Sequence, residues 1–187
     1  MNYELSKKGK GGFTLVELLV SISIIVVITA VVFLQGGQFN NTILLNNLAY
    51  EMALTVREAQ VYGVSVKETN TNSFDASYGV YFETANNKSF ISFADINKDG
   101  WYDSPEMFAS SNIKQGNYIS DLCVYDSSGV CVSTNQLAII FQRPDPDAII
   151  LTSAGGTPYS GADITVSSPS GNKKVIKVTS VGQISVQ

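Results

Sequence analysis

The stretch Gly9-Lys10-Gly11-Gly12-Phe13-Thr14-Leu15-Val16-Glu17-Leu18-Leu19-Val20 opens a 22-residue apolar run, residues 13–34. As a helix, that run is about 33 Å long, enough to cross the hydrocarbon core of a bilayer. Its fifth residue, Glu17, is the one charged side chain within it. A carboxylate in lipid costs on the order of 3 kcal/mol or more, so such a residue marks a functional position. Ahead of the run stand Lys7, Lys8 and Lys10 against Glu4. That basic excess keeps the N-terminus in the cytoplasm and sends the remainder of the chain outward.

Three readings compete for the segment. A secretory signal peptide has an apolar core of roughly 7–15 residues followed by a small-x-small cleavage site. This run is longer and has no clear site of that kind after it. A plain transmembrane anchor fits the length and leaves Glu17 unexplained. A cut between Gly12 and Phe13 creates an α-amino group four residues before Glu17. At roughly 4 Å and an effective dielectric near 20, an amine and a carboxylate attract by about 4 kcal/mol, comparable with the burial cost. If the amine belongs to a neighbouring subunit, Glu17 sets the register of helices packing in a filament.

The motif Gly12-Phe13-Thr14-Leu15-Val16-Glu17 resembles the cleavage site of type IV prepilins and type II secretion pseudopilins. The resemblance implies a basic leader, residues 1–12, removed after Gly12 by a membrane prepilin peptidase. It implies N-methylation of the new terminal Phe13 and an assembly role for Glu17. It also implies partners: other pilins or pseudopilins along the N-terminal helix, and an inner-membrane assembly platform. The chain would be a single-pass inner-membrane protein before assembly and part of an extracytoplasmic filament afterwards. Losing the leader's three Lys and one Glu would leave the mature chain with a net charge of −6.

Beyond the apolar run comes Gln35-Gly36-Gly37-Gln38. Each Gly weakens a helix by roughly 1 kcal/mol, so the pair reads either as a kink or break or as a stretch able to melt on assembly. Helical periodicity resumes at Leu45, Leu48, Ala49, Met52, Ala53 and Val56, a core-facing stripe. Glu51, Arg57 and Glu58 fall largely away from it. The helix, residues 13–63, is expected to stop near Tyr62-Gly63 with Gly63 as its C-terminal glycine.

Residues 64–187 are rich in Ser, Thr, Asn, Gly and Val, a composition suited to short strands and turns. Expected strands are 78–83, 89–94, 119–125, 137–142, 148–152, 163–167, 174–179 and 183–186, the last two forming a hairpin around Ser180-Val181-Gly182. Residues 143–147, Arg-Pro-Asp-Pro-Asp, read as a rigid turn. The fold class is therefore α+β: a long helix, its apolar first half spanning the membrane, packed on an antiparallel sheet or sandwich in the shape of a lollipop. The segment Ala53-Leu54-Thr55-Val56-Arg57-Glu58-Ala59-Gln60 and the closing Val181-Gly182-Gln183-Ile184 resemble the minor pseudopilin H (GspH/FimT-like) group. Within that resemblance, the fifth-position Glu implies a place in the shaft or just below the tip.

Two constellations stand outside the helix. Residues 95–106, DINKDGWYDSPE, match the twelve-position calcium loop of EF-hands. Asp95, Asn97 and Asp99 occupy positions 1, 3 and 5, Gly100 the sharp turn at 6, and Trp101 the main-chain carbonyl at 7. Asp103 stands at 9 and Glu106 at 12 as a bidentate carboxylate. Hard oxygen donors at this spacing suit a structural Ca²⁺. Tyr102 at position 8, Pro105 at 11 and a preceding strand depart from the EF-hand pattern, and an Asx-rich turn without an ion is the alternative. Cys123 and Cys131 flank a turn at 126–129 and are expected to form a disulfide across a hairpin.

Composition bounds the remaining functions. The chain has no His and a net charge of −4. No Ser–His or Cys–His pair can form, no phosphate-cradling glycine loop is present, and no catalytic role is expected. Lys173, Lys174 and Lys177 are too few in an acidic chain to hold nucleic acid, and they read as a solvated strand edge. A filament subunit is thus the first expectation. A filament-displayed binding module for adhesion, a secreted substrate or DNA uptake, with a calcium-stabilised loop, is the second.

Overall fold

The computed structural model describes residues 12–65, 75–155 and 159–187, with residues 34–40 described by backbone alone. The expected leader, Gly12 excepted, and residues 66–74 of the β-rich part lie outside the described residues. The chain divides into two compact units, Met1–Phe39 and Asn40–Gln187.

One helix, α1, is assigned over Leu15–Val64. Its backbone stays helical through Gly36-Gly37, so the break considered from the sequence does not occur there. In the first unit its apolar side chains lie open: the span Leu15–Phe33 is 0% buried. In the second unit Leu45, Leu48, Ala49, Met52, Val56 and Ala59 are buried, and Ala53 packs partly against the same cluster. This is the expected stripe, extended by one turn to Ala59.

Gly63 differs from its expected role. It lies inside the helix, and its φ is not in the left-handed range. A Cβ at this position would stand 2.3 Å from the main-chain oxygen of Phe141. Glycine is needed here for close approach of helix to strand, not to end the helix.

Among the described residues ten strands follow: β1 Ser77–Glu83, β2 Ser89–Asp95, β3 Met107–Asn112, β4 Tyr118–Tyr125, β5 Cys131–Thr134, β6 Gln136–Phe141, β7 Ala148–Thr152, β8 Gly161–Ser167, β9 Lys173–Thr179 and β10 Ile184–Val186. They form two five-stranded sheets, ordered β3-β2-β1-β6-β7 and β10-β9-β8-β4-β5, with every pair antiparallel. The protein is α+β, an apolar N-terminal helix followed by antiparallel sheets. All eight expected strands form, with ends shifted by at most two residues. The two strands not expected, β3 and β5, are both sheet edges with mostly exposed side chains. They carry little hydrophobic alternation because neither lays a full apolar face on the core.

The main core draws on the helix and both sheets. Val80, Phe82, Phe90, Leu137, Ile139, Phe141 and Ile150 come from one sheet, and Ile119, Leu122, Val124, Ile164, Val166, Ile176 and Val178 from the other. Strand alternation sends Tyr81, Phe93, Ala138 and Ile140 to the opposite face of the first sheet. Trp101, Tyr102 and Leu151 cover that face. This double coverage is why β1 and β6 are buried almost throughout.

The lysines of β9 are not on a simple edge. β9 lies between β8 and β10, Lys177 is directly across from Asp163, and its Nζ sits 4.4 Å from the centre of the Tyr125 ring. β10 pairs with residues 176–178, leaving Lys173 and Lys174 beyond its register. The turn at 143–147 connects β6 to β7 as expected.

Candidate functional site

Gly12, Phe13 and Glu17 are all exposed at the start of the helix. Thr14 caps it: its Oγ1 accepts the Glu17 N–H at 3.3 Å, and its carbonyl accepts the Leu18 N–H at 3.2 Å. Glu17 therefore occupies the third helical position, where Thr-x-x-Glu is a capping pair and a negative charge meets the positive end of the helix dipole. This adds a local role at the helix start to the assembly role that the motif implies for Glu17. The Thr14-x-x-Glu17 spacing was the signal that could have disclosed this second role.

Among the described residues, a Cβ built on Gly12 meets nothing within 4 Å, so none of them calls for a glycine at this position.

The apolar segment also satisfies its own polar groups. Ser21 donates to the Glu17 carbonyl at 2.7 Å, Ser23 to Leu19 at 2.8 Å and Thr29 to Ile25 at 2.7 Å. Hydroxyls bonded back one turn, on a helix whose own N–H groups are internally paired, suit a medium without water. Phe13 is 81% exposed and Phe33 likewise, so about five turns of Leu, Ile, Val and Phe await a covering phase.

Residues 7–33 match the prokaryotic N-terminal methylation motif. That match supports the type IV pilin and pseudopilin family, and with the exposed apolar helix it supports membrane insertion and pilus-type assembly. No curated protein and no solved structure matches the chain. The match lies wholly at the N-terminus, so the β-rich domain must be read from its own geometry.

The second constellation closes into a network between β2 and β3. Asp95 ends β2, and its Oδ2 accepts the Gly100 N–H at 3.1 Å. Asn97 Oδ1 accepts from Asp99 N at 3.0 Å, while its Nδ2 donates to Asp99 Oδ2 and Asp103 Oδ2, each at 3.0 Å. Asp99 Oδ1 accepts the Trp101 N–H at 2.7 Å. Lys98, with φ 63°, and Gly100, with φ 77°, take the left-handed conformations that fold the loop back on itself.

Glu106 is placed otherwise than expected. Its Oε1 accepts the N–H groups of Ile96 at 2.8 Å and Asn97 at 3.1 Å, and its Oε2 accepts Asp103 N–H at 3.3 Å. Buried at 6% exposure at the end of a short 3-10 turn, Ser104–Glu106, it braces the loop through its main chain. Among the described residues, no three His, Cys, Asp or Glu side chains converge as a metal cluster.

Asp95 is 3% exposed. Burial first, then the Glu106 charge, pushes its carboxyl above the ordinary aspartate range. Trp101 and Tyr102 turn the other way. Trp101 packs on Tyr81 at 5.7 Å between ring centres, and Tyr102 packs on Tyr81 and Phe93 at 5.2 and 5.7 Å. Tyr102 thereby supplies the apolar anchor that an aliphatic residue gives at loop position 8.

Cys123 and Cys131 are disulfide-bonded, with Cα atoms 5.7 Å apart. They are not direct partners: Cys123 faces Ser133 and Cys131 faces Tyr125, so the bond runs diagonally between β4 and the edge strand β5. Elsewhere, Gln60 is buried, and its Nε2 donates to the carbonyls of Pro146 at 2.7 Å and Gly182 at 3.1 Å. Gly182 has φ 76°, and a Cβ there would lie 2.2 Å from Pro146 O. The helix segment ending at Gln60 and the closing Val181-Gly182-Gln183-Ile184 thus meet in space, although 122 residues separate Gln60 from Gly182.

Proposed function

We propose that this chain is the precursor of a structural subunit of a type IV pilus or a type II secretion pseudopilus. The observation that carries the reading is the span Leu15–Phe33, wholly exposed, internally satisfied in its hydroxyls and carrying one carboxylate at its first turn. Such a surface is stable in lipid, and after withdrawal from lipid it is stable only against other helices of the same kind. A prepilin peptidase would cut after Gly12, whose requirement for glycine then comes from that enzyme's site and not from this fold. Methylation would follow on the Phe13 amine. Glu17 would pair with the α-amine of a neighbouring subunit during assembly on the inner-membrane platform, offsetting its cost in lipid. The role is architectural, without catalysis.

Within this class we place the chain among the minor, H-type subunits. The contact of Gln60 with the Val181–Ile184 turn supports that assignment, because it gives one physical reason for the two sequence segments that resemble the group.

The test is mass spectrometry of filaments sheared from the native cell. A peptide beginning at methylated Phe13 is expected, in trace amount relative to the principal pilin. An abundant peptide would overturn the minor assignment. An uncut chain from Met1, in cells whose other pilins mature, would overturn the prepilin reading altogether.

A further inference from the structure

We propose that the β2–β3 connection, residues 95–106, is a calcium site built around Asp95. Spacing and acidity alone do not carry this. The decisive feature is that Asp95 Oδ1 is buried and makes no hydrogen bond among the described residues, in a side chain only 3% exposed. A buried carboxylate oxygen left unpaired costs more than an ordinary unmade hydrogen bond, and native folds rarely keep one without a ligand.

Its twin Oδ2 accepts the Gly100 N–H, and Asp95 lines a small cavity with Asp99 and Gly100 of its own loop and with Ile140 and Leu151 of the neighbouring strands. The first position of a twelve-position loop is a ligand, and here one oxygen of its Asp braces the turn at Gly100 while the other is unpaired. On the same loop, Asn97, Asp99 and Asp103 are held to one another. The Asn97 amide group places partial positive charge between the Asp99 and Asp103 carboxylates. A divalent cation would supply more charge there, and turning the amide over would present its oxygen in place of its nitrogen.

Glu106 alters the donor set. Its two oxygens are engaged on three main-chain N–H groups, so it acts as the brace of the loop. The ligands would be Asp95, Asn97, Asp99 and Asp103 with water; the ion would have to draw together carboxylates that do not converge as a metal cluster by themselves, and that cost with few charged ligands means weak binding. The affinity class is that of extracellular modules, a Kd of about 10⁻⁴–10⁻³ M. The harder, strictly octahedral Mg²⁺ fits a set of side chains that must share the ion with a rigid turn less well. The ion would tie the end of β2 to the start of the edge strand β3. This proposal stands independently of the filament assignment.

The test uses the full chain in detergent, with the bound ion read at Trp101, the chain's one tryptophan. Tb³⁺ replaces Ca²⁺ in oxygen sites and emits when a neighbouring indole is excited. Tb³⁺ emission excited through Trp101 and displaced by millimolar Ca²⁺ is expected. In parallel, 10 mM CaCl₂ should raise Tm by about 3–10 °C, and equimolar MgCl₂ by clearly less. Asp95→Asn should abolish both effects. Asp99→Asn, at an exposed position, should weaken them tenfold or more and guards against a folding defect in the first variant. Absence of sensitised emission together with an unchanged Tm would overturn the site. So would a calcium-dependent Tm that both variants retain, or an equal response to magnesium.

Discussion

At the scale of single residues, two opposing effects can be weighed at Gly63. Helix propensity alone says that Gly63→Ala stabilises by about 1 kcal/mol. The packing says otherwise, since the new Cβ would press on the Phe141 carbonyl at 2.3 Å and on its Cβ at 2.7 Å. Relieving such overpacking means lifting the helix from β6, at a cost of about 1–3 kcal/mol, with the larger figure expected where backbone is the obstacle. We expect Gly63→Ala to lower stability by about 1–2 kcal/mol in urea unfolding. A gain would show that the helix end is free to move. Tyr81 supplies a pH prediction. Burial, and then the Glu83 charge, raises its pKa from 10.0 to about 12. Between those values the unfolded chain has released a proton that the folded chain retains, so stability falls as pH rises from 10 to 12 and is fully present below pH 10. The loss from this residue is up to about 2–3 kcal/mol. Tyr81→Phe should flatten that part of the pH profile, while Tyr78, also raised by burial, keeps a residual slope.

At the scale of elements, β5 depends on a covalent tie. It has four residues, lies at a sheet edge, pairs with β4 and exposes most of its side chains. Its hydrophobic contribution is small, so the Cys123–Cys131 bond is its main anchor. A disulfide closing so short a loop contributes roughly 2–3 kcal/mol. The Cys123→Ala, Cys131→Ala double variant should lose about that much. Amide exchange should accelerate over Cys131–Thr134 well before β1 or β6 is affected. Equal acceleration throughout would show β5 to be integral to the main cooperative unit. The edge strands also explain what the sequence hid. β5 and β3 form because a neighbour offers them main-chain hydrogen bonds, and their Ser, Thr and Asn side chains announce nothing.

At the scale of the whole molecule, the two units differ in what they bury. No part of Leu15–Phe33 is buried, whereas the core begins at Leu45 and closes among the helix and both sheets. A chain beginning at Asn40 should therefore be monomeric in water without detergent. Its Tm should lie within a few degrees of the full chain's in detergent. A drop of tens of degrees would mean that the apolar segment contributes to the fold of the β-rich domain.

The sequence by itself determined the apolar segment with the methylation motif at its start, the buried stripe from Leu45 to Val56 and eight of the ten strands among the described residues. These are local matters: hydropathy, period and turn residues are written in neighbouring positions. The tertiary structure alone decided that Gly63 serves contact and not termination, that Gln60 joins two turns at Pro146 and Gly182, and that Glu106 braces the loop. It alone left one oxygen of Asp95 buried and unpaired. Each of those roles depends on which distant backbone group lies within 3 Å or so of a side chain, and sequence separation carries no record of that distance.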